Sequence, residues 1–518
     1  MKEGIAVSRV ATEAVDHITI EDPDVDLDAL GGDDTVVVLA NRAVARGGAG
    51  DDWLTATLFG DFDSVQEGAE DTDGDGEPDS FPNALLTAEL HGDDGDDRLH
   101  AMIRSYEWEG PSITVSLHGG RGDDILWIDL VASGGVLTSF VDAGSGNDTI
   151  RVSALTDSLR YGAGGPIEID AGDGDDDIVV YADGGGTEFM SMAATATIRG
   201  GAGDDRIEVY QTSSAWDSGG SLNDIRGGDG ADEIIATAAG GADWGDTANH
   251  IRGGRGDDAI TATALAEAGV TATTLNDVQG GAGDDRMTLI GAAGPRSAPE
   301  GIDGTNRASG GSGDDVITAR LLLTGDEGEN RGFNELRGDA GDDRLTAVIS
   351  IPDAELGKAR SELHGGSGDD RLKVSGGTGN LLYGNQGDDT LLGSANDDRL
   401  IGGQGADYLR GYGGSDVFVF MGARGTGASE RDRIADFTIG ADLIDVSAID
   451  AKSWRPGNQS FTFDAQGEGR SGTLWVEENP DNHGSILYAN TGRALLAVNL
   501  LDGRGVHADD YSASDFIL

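Results

Sequence analysis

Gly200-Gly-Ala-Gly-Asp-Asp-Arg-Ile-Glu208 is the stretch whose reading decides the fold. It consists of two small residues, a variable one, a further glycine, an acidic pair, and an apolar residue between two variable ones. The same unit begins at Gly47, Gly119, Gly253, Gly280, Gly310 and Gly365, and more loosely at Gly92, Ala143, Ala171, Gly227 and Gly338. Four further copies follow back to back from Gly384, Gly393, Gly402 and Gly411. Between Gly92 and Gly365 the copies recur about every 27 residues, and from Gly384 every 9. A period of this kind marks a repeat architecture, in which one unit is too thin to bury its apolar face and stacking neighbours builds the core.

Working outward from the motif, three columns come into register. Its apolar position holds Leu99, Leu126, Ile150, Ile178, Ile207, Ile234, Ile260, Met287, Ile317, Leu345 and Leu372. Two residues before the motif stand Leu90, Leu117, Val141, Ile169, Ile198, Ile225, Ile251, Val278, Leu336 and Leu363, with Ala308 as the weak member. Alternation continues after the turn, as in Ile207 and Val209, which is the pattern of a strand with one face inward. Four residues before the motif stand Asn223, Asn249, Asn276, Asn306 and Asn334. These five are either a stacked amide ladder or independent turn caps. The expected fold is all-β: a right-handed parallel β-solenoid of about 27-residue coils, each with room for three short strands and three turns. The expected divisions are an N-terminal cap over 1–29, the solenoid over 30–375 with an acidic insert at 61–82, a roll over 376–420, and a C-terminal domain over 421–518.

The 9-residue stretch resembles the parallel β-roll of RTX (repeats-in-toxin) proteins, in which two motifs form one 18-residue coil. After Gly414, Ser415-Asp-Val-Phe-Val-Phe420, Asp432-Arg-Ile-Ala-Asp-Phe437 and Asp442-Leu-Ile-Asp-Val-Ser-Ala-Ile449 resemble the region that follows the roll in serralysin-type proteases. The ending Ser514-Asp-Phe-Ile-Leu518 is similar to the uncleaved C-terminal signals read by type I secretion systems. A plain C-terminal β-domain is the competing reading of this block.

The motif itself points to calcium. Calcium takes six to eight oxygen ligands in flexible geometry. Glycines reach the backbone conformations that turn carbonyls toward one point, and the sixth-position aspartate adds a carboxylate. The candidate ligands are Asp52, Asp97, Asp124, Asp148, Asp176, Asp205, Asp232, Asp258, Asp285, Asp315, Asp343, Asp370, Asp389, Asp398, Asp407 and Asp416. An ion between stacked coils would bridge them and remove repulsion along the column. At the fifth position Ala406 and Ser415 replace the acid, and at the second Asn385 and Ser394 replace glycine, while the sixth aspartate stays. A separate loop, Asp71-Thr-Asp-Gly-Asp-Gly-Glu-Pro-Asp79, alternates Asp71, Asp73 and Asp75 and resembles thrombospondin type 3 calcium loops and the start of an EF-hand. Pro82 stands where the EF-hand glutamate would be, and a solvated acidic insert is the other reading.

Composition narrows the function. Across 518 residues, Asp and Glu number 95 against 35 Lys and Arg, a net charge of −60. Such self-repulsion opposes compaction without counter-ions, and nucleic acid is excluded as a partner, since phosphate contacts need clustered bases. With no cysteine, disulfides are excluded. Residues Met1–Ile20 lack the apolar core of a Sec signal, and no apolar run reaches the length of a membrane span. An extracellular protein exported through its C-terminus by a type I secretion apparatus is therefore expected. No histidine has a second one four residues on, so the zinc site of serralysins is not carried over and zinc protease activity is not expected. Whether the chain is an enzyme stays open. One reading is a secreted calcium-binding protein of the cell surface or matrix. A second is a polysaccharide lyase or glycanase using Arg104, Tyr106, Trp108, Tyr210, Trp216, Trp244, His250 and Lys358 on an acidic polysaccharide, and a third is a toxin or adhesin. No catalytic pair can be named. Clustering of those eight residues on one face would favour the enzyme, and scatter the first reading.

Overall fold

The structure, a computed structural model, describes residues 8–10, 14–60, 85–105, 112–132, 136–156, 165–184, 194–213, 220–240, 246–267, 272–294, 302–324, 330–351, 357–422, 431–479, 484–503 and 506–518. The chain forms two compact units, Met1–Val278 with Ala292–Ile302, and Gln279–Gly291 with Asp303–Leu518. Both are all-β and built on parallel solenoid coils, most of which keep the spacing of the long repeat, and among the described residues there is no α-helix.

In the first unit a coil is one strand running into the glycines, a tight turn over the acidic pair, and one strand running out. Ala194–Ala202 enters the turn and Arg206–Ser213 leaves it. Entry strands pair in parallel with entry strands of the neighbouring coils, and exit strands with exit strands. Ile178, Ile207, Ile234 and Ile260 are thereby consecutive partners, as are Ile198, Ile225 and Ile251. Each of these isoleucines is at most 2% exposed. Each contributes about 1.5–3 kcal/mol of burial, and the stack fixes register because a slip of one residue would turn the column to solvent. The described residues of a coil hold two strands rather than the three for which there was room. The inward–outward alternation continues through all eight residues of Arg206–Ser213, so the extra length lies in longer strands and the variable connection after them.

The turn needs glycine where backbone meets backbone. Gly201 and Gly203 have φ of +122° and +134°, and a side chain on Gly201 would stand 1.8 Å from the carbonyl oxygen of Gly172 in the preceding coil. Coil length is not constant. At the N-terminal end His17 stands opposite Thr35 and Thr35 opposite Trp53, a shorter coil in a region the sequence reading assigned in part to a cap.

The second unit repeats this plan. Ala308 pairs with Leu336, Leu336 with Leu363 and Leu363 with Leu382. From Asn380 the coil shortens to two motifs, with Asn380 opposite Asp398 and Thr390 opposite Tyr408. Beyond the roll, Val417–Val419, Leu443–Asp445 and Phe516–Ile517 continue one sheet in parallel. Thr473–Asn479, Gly484–Asn490 and Leu495–Leu500 form an antiparallel meander. Phe418, Phe437, Tyr511 and Phe516 pack ring against ring beneath. The terminal Asp515 and Phe516 are buried in this block.

The asparagines form ladders. In the first unit the Asn223 amide donates to Asn249 Oδ1 at 2.7 Å, and the Asn249 amide to Asn276 Oδ1 at 2.8 Å. In the second, Asn306 donates to Asn334 Oδ1 at 3.0 Å. Asn249 and Asn306 also donate across the core to the carbonyls of Thr263 and Arg320, so the ladder ties entry to exit strands.

Candidate metal-binding turns

All sixteen sixth-position aspartates are buried, at 1–3% exposure. The strand turn places each carboxylate beneath the small residue that opens its motif, and Oδ1 accepts the backbone N–H of the residue one coil earlier, an aspartate in nearly every case. In the first unit Asp205, Asp232 and Asp258 accept from Asp176, Asp205 and Asp232 at 2.9–3.0 Å. In the second, Asp315, Asp343, Asp370 and Asp389 accept from Asp285, Asp315, Asp343 and Asp370 at 2.8–2.9 Å.

The second oxygen is the anomaly. At Asp52, Asp97, Asp124, Asp148, Asp176, Asp205 and Asp232, and at Asp315, Asp343, Asp370, Asp389 and Asp407, Oδ2 is buried without a hydrogen-bond partner among the described residues. Burial is the main reason these carboxyls titrate high: Asp205 is pushed up to about 7, Asp124 and Asp389 to about 8, with neighbouring aspartates adding to the rise. Where the motif begins with glycine, Oδ2 faces the space left by the missing side chain. A methyl group on Gly92 would lie 2.2 Å from Asp97 Oδ2 and 2.6 Å from the carbonyl oxygen of Gly119 in the next coil. On Gly200 the distances to Asp205 Oδ2 and Gly227 O are 2.3 and 2.6 Å, and on Gly365 those to Asp370 Oδ2 and Gly384 O are 2.2 and 2.7 Å. Calcium–oxygen bonds run about 2.3–2.6 Å. A carboxylate oxygen and a carbonyl oxygen of adjacent coils thus converge on one small space, and hard oxygen donors of this kind fit calcium. Where Ala143 and Ala171 replace the glycine, a methyl group already fills the space above Asp148 and Asp176.

The structure also enlarges the set. Asp34 is 2% exposed, donates its N–H to Asp52 Oδ1 at 2.7 Å and accepts that of Asp16. Asp432 and Asp442 accept from Asp407 and Asp416 at 2.9 and 3.0 Å. Sequence reading missed them because Ala29-Leu30 stands for the glycine pair ahead of Asp34, and Asp432 and Asp442 have no such glycine pair ahead of them; Asp-x-apolar is the trace that remains. Asp398 and Asp442 differ from the rest, since their Oδ2 atoms accept the N–H of Ser394 and of Thr438. Asp71, Asp73 and Asp75 lie outside the described residues.

Of the eight residues considered for polysaccharide chemistry, four are described. Tyr106, Trp108, Trp216 and Trp244 lie outside the described residues. In the first unit Arg104 and Tyr210 are on exit strands and His250 is on an entry strand. Lys358 belongs to the second unit, on the entry strand Gly357–Ser367, where it borders a cavity of about 460 Å³ with Asp303, Arg331, Phe333, Arg360 and Thr378.

Fold and turns together define the class, a parallel β-solenoid of glycine–aspartate nonapeptide repeats. The chain belongs to the family described as Peptidase M10 serralysin C terminal, which matches residues 20–494; the RTX-type resemblance of the sequence holds. Two solved structures from Azotobacter vinelandii are similar in part. The AlgE6R2 subunit of the mannuronan C5-epimerase shows 28% identity over 30% of this chain and 90% of its own, with a TM-score of 0.21. The AlgE6R3 subunit of the same enzyme shows 32% over 30% and 77%, with a TM-score of 0.14. Among curated proteins, none matches the chain.

Proposed function

We propose that the chain is a secreted calcium-binding β-solenoid that folds on extracellular calcium and acts at the cell surface or in the matrix. One observation carries this: a column of buried aspartates in which, wherever the motif begins with glycine as at Gly92, Gly200 and Gly365, one carboxylate oxygen is aimed at a side-chain-free space shared with the next coil's carbonyl. The ions would be held by the sixth-position carboxylates from Asp52 to Asp416 together with turn carbonyls. Calcium supplies the positive charge that makes those buried carboxylates tolerable, and the chain's own part is to order the oxygens by stacking. The loop at Asp71, Asp73 and Asp75 would be an additional calcium site. Export would run through a type I apparatus reading the C-terminal domain, residues 421–518, before the solenoid and roll fold. Residues 30–375 would be the solenoid proper, 376–420 the roll and 1–29 the cap.

Circular dichroism tests folding. In excess chelator we expect little β-structure, and on adding calcium a large gain, because an ion that binds only the folded state stabilises it. Magnesium should substitute poorly, since it demands tight octahedral geometry. Identical spectra with and without calcium would overturn the proposal. Deleting about the last sixty residues should hold the protein inside the producing cell.

The second reading, a protein acting on an acidic polysaccharide, is favoured by the cavity in the second unit. There Arg331, Lys358 and Arg360 gather in a chain of net charge −60, and the Arg360 guanidinium lies 5.3 Å from the centre of the Phe333 ring. Cations with an aromatic face suit uronate units. A screen of acidic polysaccharides, read first as binding and then as unsaturated-uronate absorbance, separates a lyase from a binding module.

A further inference from the structure

In the first unit the residue just before the glycine turn is His91 in one coil and His118 in the next, and the strands pair them directly. Their imidazoles stack at 4.4 Å between centroids and 8° between planes. Glu89, two residues before His91 on the same outward face, places Oε1 2.8 Å from His91 Nε2. One donor atom from each of Glu89, His91 and His118 lies within 4.8 Å of the others. On the following coil Asp142 reaches His118 Nδ1 at 3.7 Å, and the ring of Phe140 stands 5.6 Å from that of His118 as an apolar wall.

We propose that Glu89, His91 and His118 form a binding site for a divalent ion of the zinc type, separate from the buried aspartate column. The donor set is the reason. Imidazole nitrogen suits zinc, copper and nickel, whereas calcium takes oxygen. Two nitrogens and one carboxylate, with a fourth position left for water, are a usual zinc complement. Tetrahedral coordination at about 2.0–2.1 Å puts donors ~3.3 Å apart, so the present spread closes by small side-chain rotations. The three side chains are 19–44% exposed and stand on the outer face, where rotation disturbs no core contact. Asp142 lies beside His118 Nδ1, leaving Nε2 for the metal, and a small approach would give the usual arrangement of an outer carboxylate behind a ligating histidine.

The second unit contains a natural control. His364 Nε2 lies 3.1 Å from Glu362 Oε1 and its ring stacks on Tyr383 at 4.6 Å. The carboxylate, the histidine and the stacked ring are all there, with a phenol where the second imidazole would be. The experiment uses the full chain saturated with calcium, so that the aspartate sites are filled, and titrates zinc calorimetrically and cobalt by visible absorption. We expect one tight site per chain and the intense d–d bands of four-coordinate cobalt with nitrogen ligands. His91→Ala and His118→Ala should each abolish both signals with the calcium-loaded dichroism spectrum unchanged. Asp142→Asn should weaken zinc about 10-fold, as loss of an outer-shell carboxylate does, and His364→Ala should leave the site intact. Zinc binding that survives His91→Ala and His118→Ala, that falls equally in His364→Ala, or that is absent from the wild-type chain would overturn the proposal.

Discussion

Without calcium, the chain should fold when the solution is made mildly acidic. Asp97, Asp148, Asp205, Asp315 and Asp370 each titrate at about 7 in the folded state, against an ordinary value of 3.8, chiefly because they are buried. A raised folded-state value means the folded form binds the proton more tightly. The favourable balance is complete below about pH 4 and is lost as pH rises through 6–8. At about 1.36 kcal/mol per unit, each ionised group opposes folding by roughly 4 kcal/mol at pH 7.5 and by about 1.6 at pH 5. These five groups alone recover on the order of 12 kcal/mol between the two conditions, comparable with the whole stability of a typical domain, about 5–15 kcal/mol. Coupling along the column makes the sum an upper figure; half of it still moves the equilibrium by several powers of ten.

The assay is far-ultraviolet circular dichroism of protein stripped of calcium on a chelating resin, titrated from pH 7.5 to 5. β-structure should appear with a midpoint between about 6 and 7, and the calcium concentration needed for folding should fall over the same range. An ordinary carboxyl in water ionises near pH 4. A transition that waits until about pH 4, or a calcium midpoint indifferent to pH, would show that overall charge and not the buried column controls folding.

Further expectations follow from the packing. Ile207→Asp or Ile260→Asp, at positions no more than 2% exposed, should cost at least about 2–5 kcal/mol, while Glu208→Asp and Thr261→Asp on the outer face should change calcium-titrated folding little. Asn249→Ala removes two donated bonds and one accepted bond inside the core and should lower the urea midpoint by an amount equivalent to about 2–4 kcal/mol. Gly200→Ala would put a methyl group 2.3 Å from Asp205 Oδ2, so equilibrium dialysis should find one fewer calcium ion per chain. Ala143→Gly, which empties the space above Asp148, should add one.

The columns were legible because their period survives every variable connection. Ile207 and Ile225 fall at fixed distances from their glycines, and stacking follows from that alone. The number of strands per coil was not legible, since a coil of this length accommodates either two long strands or three short ones, and the decision lies in how far alternation runs past Ile207. Asp34 was hidden because Leu30 adopts the left-handed backbone, φ +74°, that glycine adopts elsewhere in the motif. The pairing of His91 with His118 could have been read once the period was known, since each stands directly before the small-residue pair of its motif. Arg104, Tyr210, His250 and Lys358 were grouped by residue type, and type says nothing about which sheet a strand joins.

The two acidic positions of the motif do different work. Fifth-position residues donate their N–H to the side chain at the fifth position of the preceding coil: Asp123 to Asp96, Asn147 to Asp123 and Asp175 to Asn147 in the first unit, Asp342 to Asp314 in the second. Sixth-position residues donate to the carboxylate of the following coil, so each turn is held from both sides. The fifth position is exposed and varies to Asn147, Ala231, Ala406 and Ser415; the sixth is buried and is aspartate in all sixteen copies. A hydrogen bond does not demand that constancy. Asn147 accepts the N–H of Asp175 at 2.8 Å through an amide oxygen as well as Asp123 accepts that of Asn147 at 2.8 Å through a carboxylate. An asparagine at the sixth position would keep the same bond and would spare the chain a buried charge. What it would lose is the negative Oδ2 over the glycine. A charge kept at the buried position, beside free substitution at the exposed one, is the pattern that the proposed cation at the buried oxygens requires.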